Sequence, residues 1–258
     1  MTIGNKLQLP DVTIFTFCWG EEHVRKSLRS MLIGMDQVKF KRAVLITDSS
    51  KTNLSLFDDV INKYDIDVCD MSVELTSNMS DDDKNRSGFC ESFIQQTNKY
   101  ILDDFCLNVQ HDSTIIDITN WDDKYLEYDY IGAPWPMSIV QASDMVAGRI
   151  EKIPNVVGNG GFSLRTRKFV EESASLGWEH KNEDLNTCVF NYDRMTEQGI
   201  TFAPPSLAAK FSVEHPTEYK YFNRDVLLSY SSFGFHGEFN NAGMQFIKFY
   251  NLEEQCQL

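Results

Sequence analysis

Four short stretches carry residue types and spacings that could do chemistry. The first is Gln110-His111-Asp112-Ser113, directly after the apolar run FCLNV at residues 105–109. A carboxylate at a strand end can hold Mg²⁺ or Mn²⁺, which take oxygen ligands and tolerate a histidine. The same four residues also suit a strand-end turn capped by Asp112. The second is Glu183-Asp184, after Asn182 at the start of a predicted helix. Acids there complement the helix dipole behind an Asn cap, or they place a general base at the mouth of a cleft. The third is Phe233-Gly234-Phe235-His236-Gly237, in which two glycines bracket an aromatic residue and a histidine. That segment reads as too irregular for a core strand and well placed to turn His236 toward a ligand or metal. The fourth is VGNGGFSLR, residues 157–165, with three glycines in four positions running into an alternating strand pattern. Glycine weakens ordered structure, so something at 158–161 demands a bare backbone, either a tight turn or a close ligand.

The elements that must position these groups alternate in the first half. VTIFTFC (12–18) and AVLITD (43–48) read as strands buried on both faces, and IDVCDMSVEL (66–75) as a third. Helices are predicted over 23–32 and 54–64, which gives a β-α-β-α-β order and parallel pairing. The polar run TSNMSDDDKNRSG (76–88) reads as a solvated loop, followed by a helix from about 91 to 102 with Phe93, Thr97, Tyr100 and Ile101 on its buried side. FCLNVQHDSTII is a strand that stops at Gln110, and the carboxyl ends of strands are where open α/β sheets gather ligands. The second half is less regular. Tyr130-Ile131-Gly132 is a short strand, 137–156 a loop with a short helix, and 167–176 and 182–198 are helices, the latter ended by Gly199. FSVE (211–214) is strand-like. Trp19-Gly20, Asp48 and Trp135 are further wall residues, the tryptophans suiting core packing equally well. No repeat or linker divides the 258 residues, so one domain is expected, 1–116 forming one half and 117–258 the other.

The net charge of -14 opposes binding to phosphate backbones or anionic membrane surfaces, so no nucleic acid is expected as a partner. It leaves room for a nucleotide whose charge a divalent cation offsets. No apolar run reaches the length of a membrane span and the N-terminus lacks signal-peptide order. Six scattered cysteines without CxxC spacing read as reduced core thiols, and a cytoplasmic location is expected.

In order along the chain, QHDSTII, a tryptophan with LEYDYIGAPW, VGNGGFSLRTRK, NEDL, FAP with AAKFSVE, and FGFHG resemble the DUF5672 group of GT-A-like glycosyltransferases. The resemblance runs from about residue 90 to about residue 240, and the N-terminal region agrees in pattern. It implies a GT-A-like, Rossmann-type mixed α/β sheet flanked by helices, in a single domain. It implies a nucleotide-sugar donor, UDP-linked as the commonest choice, bound at the carboxyl edge of the sheet, a divalent cation (Mn²⁺ or Mg²⁺) on its diphosphate, and a glycan or other hydroxyl acceptor. The Asp-x-Asp-like positions are Gln110 and Asp112. Gln110 replaces the first acid, so Asp112 and the late histidine His236 are the implied metal ligands. Thr16, Asp48, Gln110, His111, Asp112, Asn159, Gly160 and Gly161 are the implied donor-binding set, with residues 158–161 lining the cleft where a side chain would block the sugar. Arg165 fixes that turn or faces a phosphate. Asp184 is the implied base for an inverting transfer, and Glu183 binds the acceptor.

Two other classes compete. A nucleotide-sugar or glycan binding module without turnover is favoured by Gln110. A metal phosphohydrolase built on His111-Asp112 needs helical histidines, and His23, His180 and His215 do not fall in that pattern.

Overall fold

The computed structural model describes residues 2–3, 6–71, 81–135, 157–177, 182–214, 232–238 and 240–250, and of residues 81–87 the backbone alone. Strand β1 (Thr2–Ile3) pairs antiparallel with the long β2 (Lys6–Phe17). Then follow α1 (Glu21–Gln37), β3 (Val38–Thr47), α2 (Asp58–Lys63), β4 (Ile66–Asp70), α3 (Asp81–Tyr100) and β5 (Phe105–Val109). The strands β6 (Ser113–Ile115), β7 (Tyr130–Ile131) and β8 (Phe162–Thr166) lead into α4 (Arg167–Ala174). The rest comprises α5 (Glu183–Leu185), a π-helical turn over Asn186–Phe190, α6 (Tyr192–Glu197), α7 (Pro205–Phe211), β9 (Ser212–Val213), β10 (Gly234–His236) and α8 (Asn241–Phe249).

The main sheet has the order β4-β3-β2-β5-β8-β7. Its first four strands are parallel to their neighbours, while β8 is antiparallel to both β5 and β7. The sheet is therefore mixed. The parallel part follows from composition: side chains alternate across a strand, and both faces of β2 and β3 are covered. Val12, Ile14, Ala43 and Leu45 pack with Val24, Leu28 and Leu32 of α1 on one face. Phe15, Phe17, Val44 and Ile46 pack with Phe93 and Ile94 of α3 and Val170 of α4 on the other. A second sheet of order β6-β10-β9 stands at the carboxyl end of β5.

Several sequence expectations change. β2 and β3 run further toward their N-termini than the apolar runs do, with a register shift between Leu9 and Thr13 where Pro10 interrupts the ladder. The expected loop 76–88 is helical from Asp81. The 233–237 segment is not too irregular for a core strand: β10 pairs antiparallel with β6 and parallel with β9. Gly234 is required there because a Cβ would run into the Phe162 ring. The helix predicted over 182–198 is interrupted by the π-helical turn and ends at Gly199, φ 74°. Phe93, Thr97 and Ile101 are buried as expected, and Cys18, Cys90, Cys106 and Cys188 are buried free thiols. Residues 72–75 of the third strand, the 137–156 loop, His180, His215 and Cys256 lie outside the described residues. Among the described residues no helix is long and apolar enough to cross a membrane.

One carboxylate ties the amino ends of the central strands together. Asp103 accepts from Thr13 Oγ1 at 2.6 Å and Arg42 Nε at 2.7 Å, and pairs with Lys41 Nζ at 2.7 Å. Burial alone would raise its pKa, but these donors reverse the effect and hold the carboxyl far below its usual value. Its contribution is present above the unfolded carboxylate pKa and is lost as pH falls through the depressed folded value. The Asp103→Asn variant is expected to lose about 1.5–3 kcal/mol of stability at neutral pH in urea unfolding, with a smaller difference from the unmodified chain in acid.

Candidate functional site

The chain turns sharply after β5. Ser113 N donates to Gln110 O at 3.1 Å, and Ser113 Oγ lies 2.8 Å from Gln110 N, which leaves His111 and Asp112 projecting between β5 and β6. β10 brings His236 opposite Ser113 in register, and Gly237 N donates to Asp112 O at 3.0 Å. His236 Nε2 then stands 3.3 Å from Asp112 Oδ1, and His236 Nδ1 stands 3.5 Å from Glu214 Oε1, just past β9. Burial disfavours the charged imidazole, but Asp112 and Glu214, one facing each nitrogen, hold its pKa well above the ordinary histidine value. Burial likewise opposes the Asp112 charge, and His236 and then His111 bring its carboxyl down to about 2. His111 lies further out, 3.8 Å from Asp112 Oδ1 and 3.4 Å from Glu238 Oε1, with its ring 5.5 Å from that of His23.

The glycine segment runs beside this group and enters β8. All four of its carbonyls are held. Tyr130 Oη donates to Gly158 O at 3.0 Å and Asn159 O at 2.8 Å; Asn108 Nδ2 donates to Gly160 O at 2.7 Å; Gln110 N donates to Gly161 O at 3.0 Å. Asn159 Oδ1 accepts from Gly161 N at 3.1 Å, folding the turn on itself. Two neighbours explain the bare backbone. A Cβ on Gly160 would collide with the Glu183 carboxylate, and one on Gly161 with the His236 ring. The close groups are thus the protein's own side chains, arriving from α5 and from β10.

Glu183 and Asp184 form the first turn of α5. Glu183 is buried and accepts from Arg165 Nη2 at 3.1 Å. Asp184 Oδ1 accepts from Leu185 N at 2.8 Å. Burial, then the charges of Glu183 and Glu214, push the Asp184 carboxyl well above the usual carboxylate range.

A cavity of about 300 Å³ opens at the carboxyl ends of β2 and β5, walled by Phe17, Trp19 and Phe89 and rimmed by His23, Gln110 and His111. The three aromatic rings stand edge-on or tilted to one another at 5.2–6.2 Å. Asp48 reaches this wall indirectly: it pairs with Lys51 at 3.4 Å, and Lys51 Nζ sits 5.0 Å over the Trp19 ring. Its other contacts, from Ser50 N and Oγ, close its own turn. Thr16 is fully buried within β2 and does not line the cavity. Trp135 packs its ring against Gly158.

The structure thus gathers Gln110, His111, Asp112, Asn159, Gly160, Gly161, Glu183, Asp184 and His236 at one edge, and sets Thr16 and Asp48 behind it. Sequence reasoning missed Glu214, whose signal is an acid closing the short FSVE strand, and Phe89, which fell between the loop read over 76–88 and the helix predicted from about 91.

For a divalent cation the donor chemistry fits. Asp112 Oδ1 is buried with no hydrogen bond aligned on it. Adjacent ligands of an octahedral ion with bonds of about 2.1–2.3 Å stand about 3.0–3.3 Å apart, and the Asp112–His236 separation is 3.3 Å. Glu214 on the far ring nitrogen matches the outer carboxylate that orients metal-bound histidines. Among the described residues no three His, Cys, Asp or Glu side chains converge to hold an ion.

Residues 79–236 match the family described as "Protein of unknown function (DUF5672)". No curated protein matches the chain. Among solved structures, the galactosyltransferase LgtC in complex with donor and acceptor sugar analogs is similar, with a TM-score of 0.53 and 12% identity over 87% of this chain and 86% of that one. An active-site mutant of LgtC gives a TM-score of 0.54 at 12% identity, over 87% and 86% of the two chains. The likeness is one of fold: the mixed sheet flanked by helices is that of the GT-A glycosyltransferases.

The close approach at Gly161 has a measurable consequence. Gly161→Ala must displace the half-buried His236 ring, and forced overpacking of this kind costs about 1–3 kcal/mol. Thermal unfolding should show that loss, and a crystal structure of the variant should show the His236 ring moved off Asp112.

Proposed function

We propose that this chain, which belongs to the DUF5672 family, is a metal-dependent glycosyltransferase that moves a sugar from a nucleoside diphosphate to an acceptor hydroxyl with inversion. The observation that carries this reading is the convergence, at one sheet edge of a GT-A fold, of the Asp112–His236 pair with Glu183-Asp184 around a side-chain-free backbone. The aromatic cavity beside Gln110 and His111 has the size and flat apolar walls to take a nucleoside, UDP-linked in the first instance. In this reading residues 1–116 of a single domain hold the nucleotide, and 117–258 supply the acceptor side.

Each residue then has a task. Asp112 and His236 would hold the cation, with Glu214 orienting the imidazole. When bound, the cation neutralises the charge that grows on the departing diphosphate. Gly160 and Gly161 let Glu183 and His236 come close to the main chain that Asn159 folds, so these three shape the donor's surroundings through those side chains. Glu183 contacts the acceptor and Asp184 takes the proton from its hydroxyl as that oxygen attacks the anomeric carbon, general-base help of about 10²–10⁴ in rate. One base on the face opposite the leaving group suffices for inversion.

Gln110, in the place of the first acid, favours a second reading: a nucleotide-sugar or glycan binding module without turnover. Thermal unfolding with UDP, GDP or CDP, each with Mn²⁺, Mg²⁺ or EDTA, addresses both. A ligand at a hundred times its Kd stabilises by about 2.7 kcal/mol. One nucleotide raising the Tm with metal and not with EDTA is expected. A shift indifferent to EDTA discards the cation, and binding without transfer supports the module.

Asp184→Asn is expected to abolish transfer while the nucleotide-dependent Tm shift persists; retained turnover would refute the base assignment. Because the carboxyl is raised in the free protein, a base at this position works only once deprotonated. The acid limb of kcat/KM should therefore rise with pH well above the ordinary carboxylate value of about 4.

A further inference from the structure

Resting on the transferase reading, we propose that Arg165 is a positioning residue: its guanidinium fixes Glu183 against Gly160 and so sets the direction in which Asp184 meets the acceptor. Arg165 lies on β8, five residues past Gly160, the glycine it helps to hold, and is 6% exposed. Its fork is used within the protein. Nε donates to Ser163 Oγ at 3.0 Å, and Nη2 donates to Glu183 Oε1 at 3.1 Å and lies 3.4 Å from Gly160 O. Ser163 Oγ itself donates to Gly160 O at 2.9 Å. The guanidinium carbon sits 4.7 Å over Phe93, 5.5 Å over Tyr130 and 5.7 Å over Phe169. Rings from α3, β7 and α4 therefore hold the cation in place, and it meets the site through Glu183 and the Gly160 carbonyl.

Successive residues of a helix point about 100° apart. Anchoring Glu183 to the sheet thus decides where Asp184 points, although Arg165 does not touch Asp184. A planar guanidinium supplies three aligned contacts at once, and an ammonium cannot. A cation enclosed in this way is also poorly placed to meet a phosphate, which separates a positioning role from a donor-binding one.

The test uses Arg165→Ala and Arg165→Lys in the full chain, with Arg167→Ala as a surface control whose guanidinium pairs with Glu171. A misplacement near 1 Å costs on the order of a hundredfold in rate. Arg165→Ala is expected to lose about that factor in kcat, with donor KM within about twofold of the unmodified chain and the nucleotide Tm shift intact. Millimolar guanidinium should restore part of the rate and methylammonium none. Arg165→Lys should remain well below the unmodified rate, and Arg167→Ala should match it. A rise in donor KM with kcat retained would overturn the proposal in favour of a phosphate-binding arginine, and an unchanged kcat would overturn it outright. If Arg165→Ala does not fold, Arg165→Lys decides by the same split. Absent turnover in the unmodified chain refutes the transferase reading separately. Crystal structures of the unmodified and Arg165→Lys proteins then decide: a displaced Asp184 carboxylate supports positioning and an unmoved one overturns it.

Discussion

Gly160 and Gly161 leave room for two side chains that arrive from opposite directions, Glu183 against the first and His236 against the second. Neither glycine lies in the left-handed region, where glycine is usually placed for its conformational freedom; Gly20, Gly199 and Gly237 do. What residues 158–161 supply is space, not flexibility. Their four carbonyls are pinned by Tyr130, Asn108, Ser163, Ser113 and the backbone of Gln110, so the segment is a rigid partition. Everything at the site is arranged relative to that partition. The Asp112–His236–Glu214 group stands on one side and the Glu183–Arg165 pair on the other.

Charge explains the remaining behaviour. Asp112, Glu183, Asp184 and Glu214 come together around two cationic groups, Arg165 and His236. Each cation settles on the carboxylates nearest to it, and Asp184 is left with negative neighbours. Burial and those neighbours raise its carboxyl well above the usual carboxylate range. The site is short of positive charge as it stands, and a cation shared with a diphosphate, as proposed, supplies what is missing. The surface excess of acids has no part in this balance, because exposed charges are screened over about 8–10 Å at physiological salt.

The sheet core was plain in the sequence because a strand covered on both faces is apolar at every position, as in VTIFTFC and AVLIT. The start of α3 was hidden, since eight polar and charged residues without an apolar stripe carry no helical period. β10 was hidden for the opposite reason: Gly234 reports the Phe162 ring packed against it and Gly237 the left-handed turn that follows, and neither reports the conformation of the strand itself. At the site, types and order pointed to Asp112, His236 and the acid pair. The partners did not follow. GNGG announced that something lies close to the backbone, but no local pattern names Glu183 and His236 as the occupants. Arg165 looks like an ordinary strand residue until Phe93, Tyr130 and Phe169 are folded around it.

The second sheet, β6-β10-β9, sets a timetable. Asp112 belongs to the part of the chain made early, together with the parallel strands, whereas Glu214 and His236 come from its last third. Local order in the first part does not depend on them, and closing so long a loop is slow compared with forming the βαβ units. The cavity residues Phe17, Trp19, His23, Gln110 and His111 all precede in the chain the imidazole that completes the Asp112 group. In the finished protein the same geometry runs in reverse. Fraying of the three-residue strand β10 would separate His236 from Asp112 while the main sheet stayed folded, so this corner can open well below the temperature at which the fold is lost.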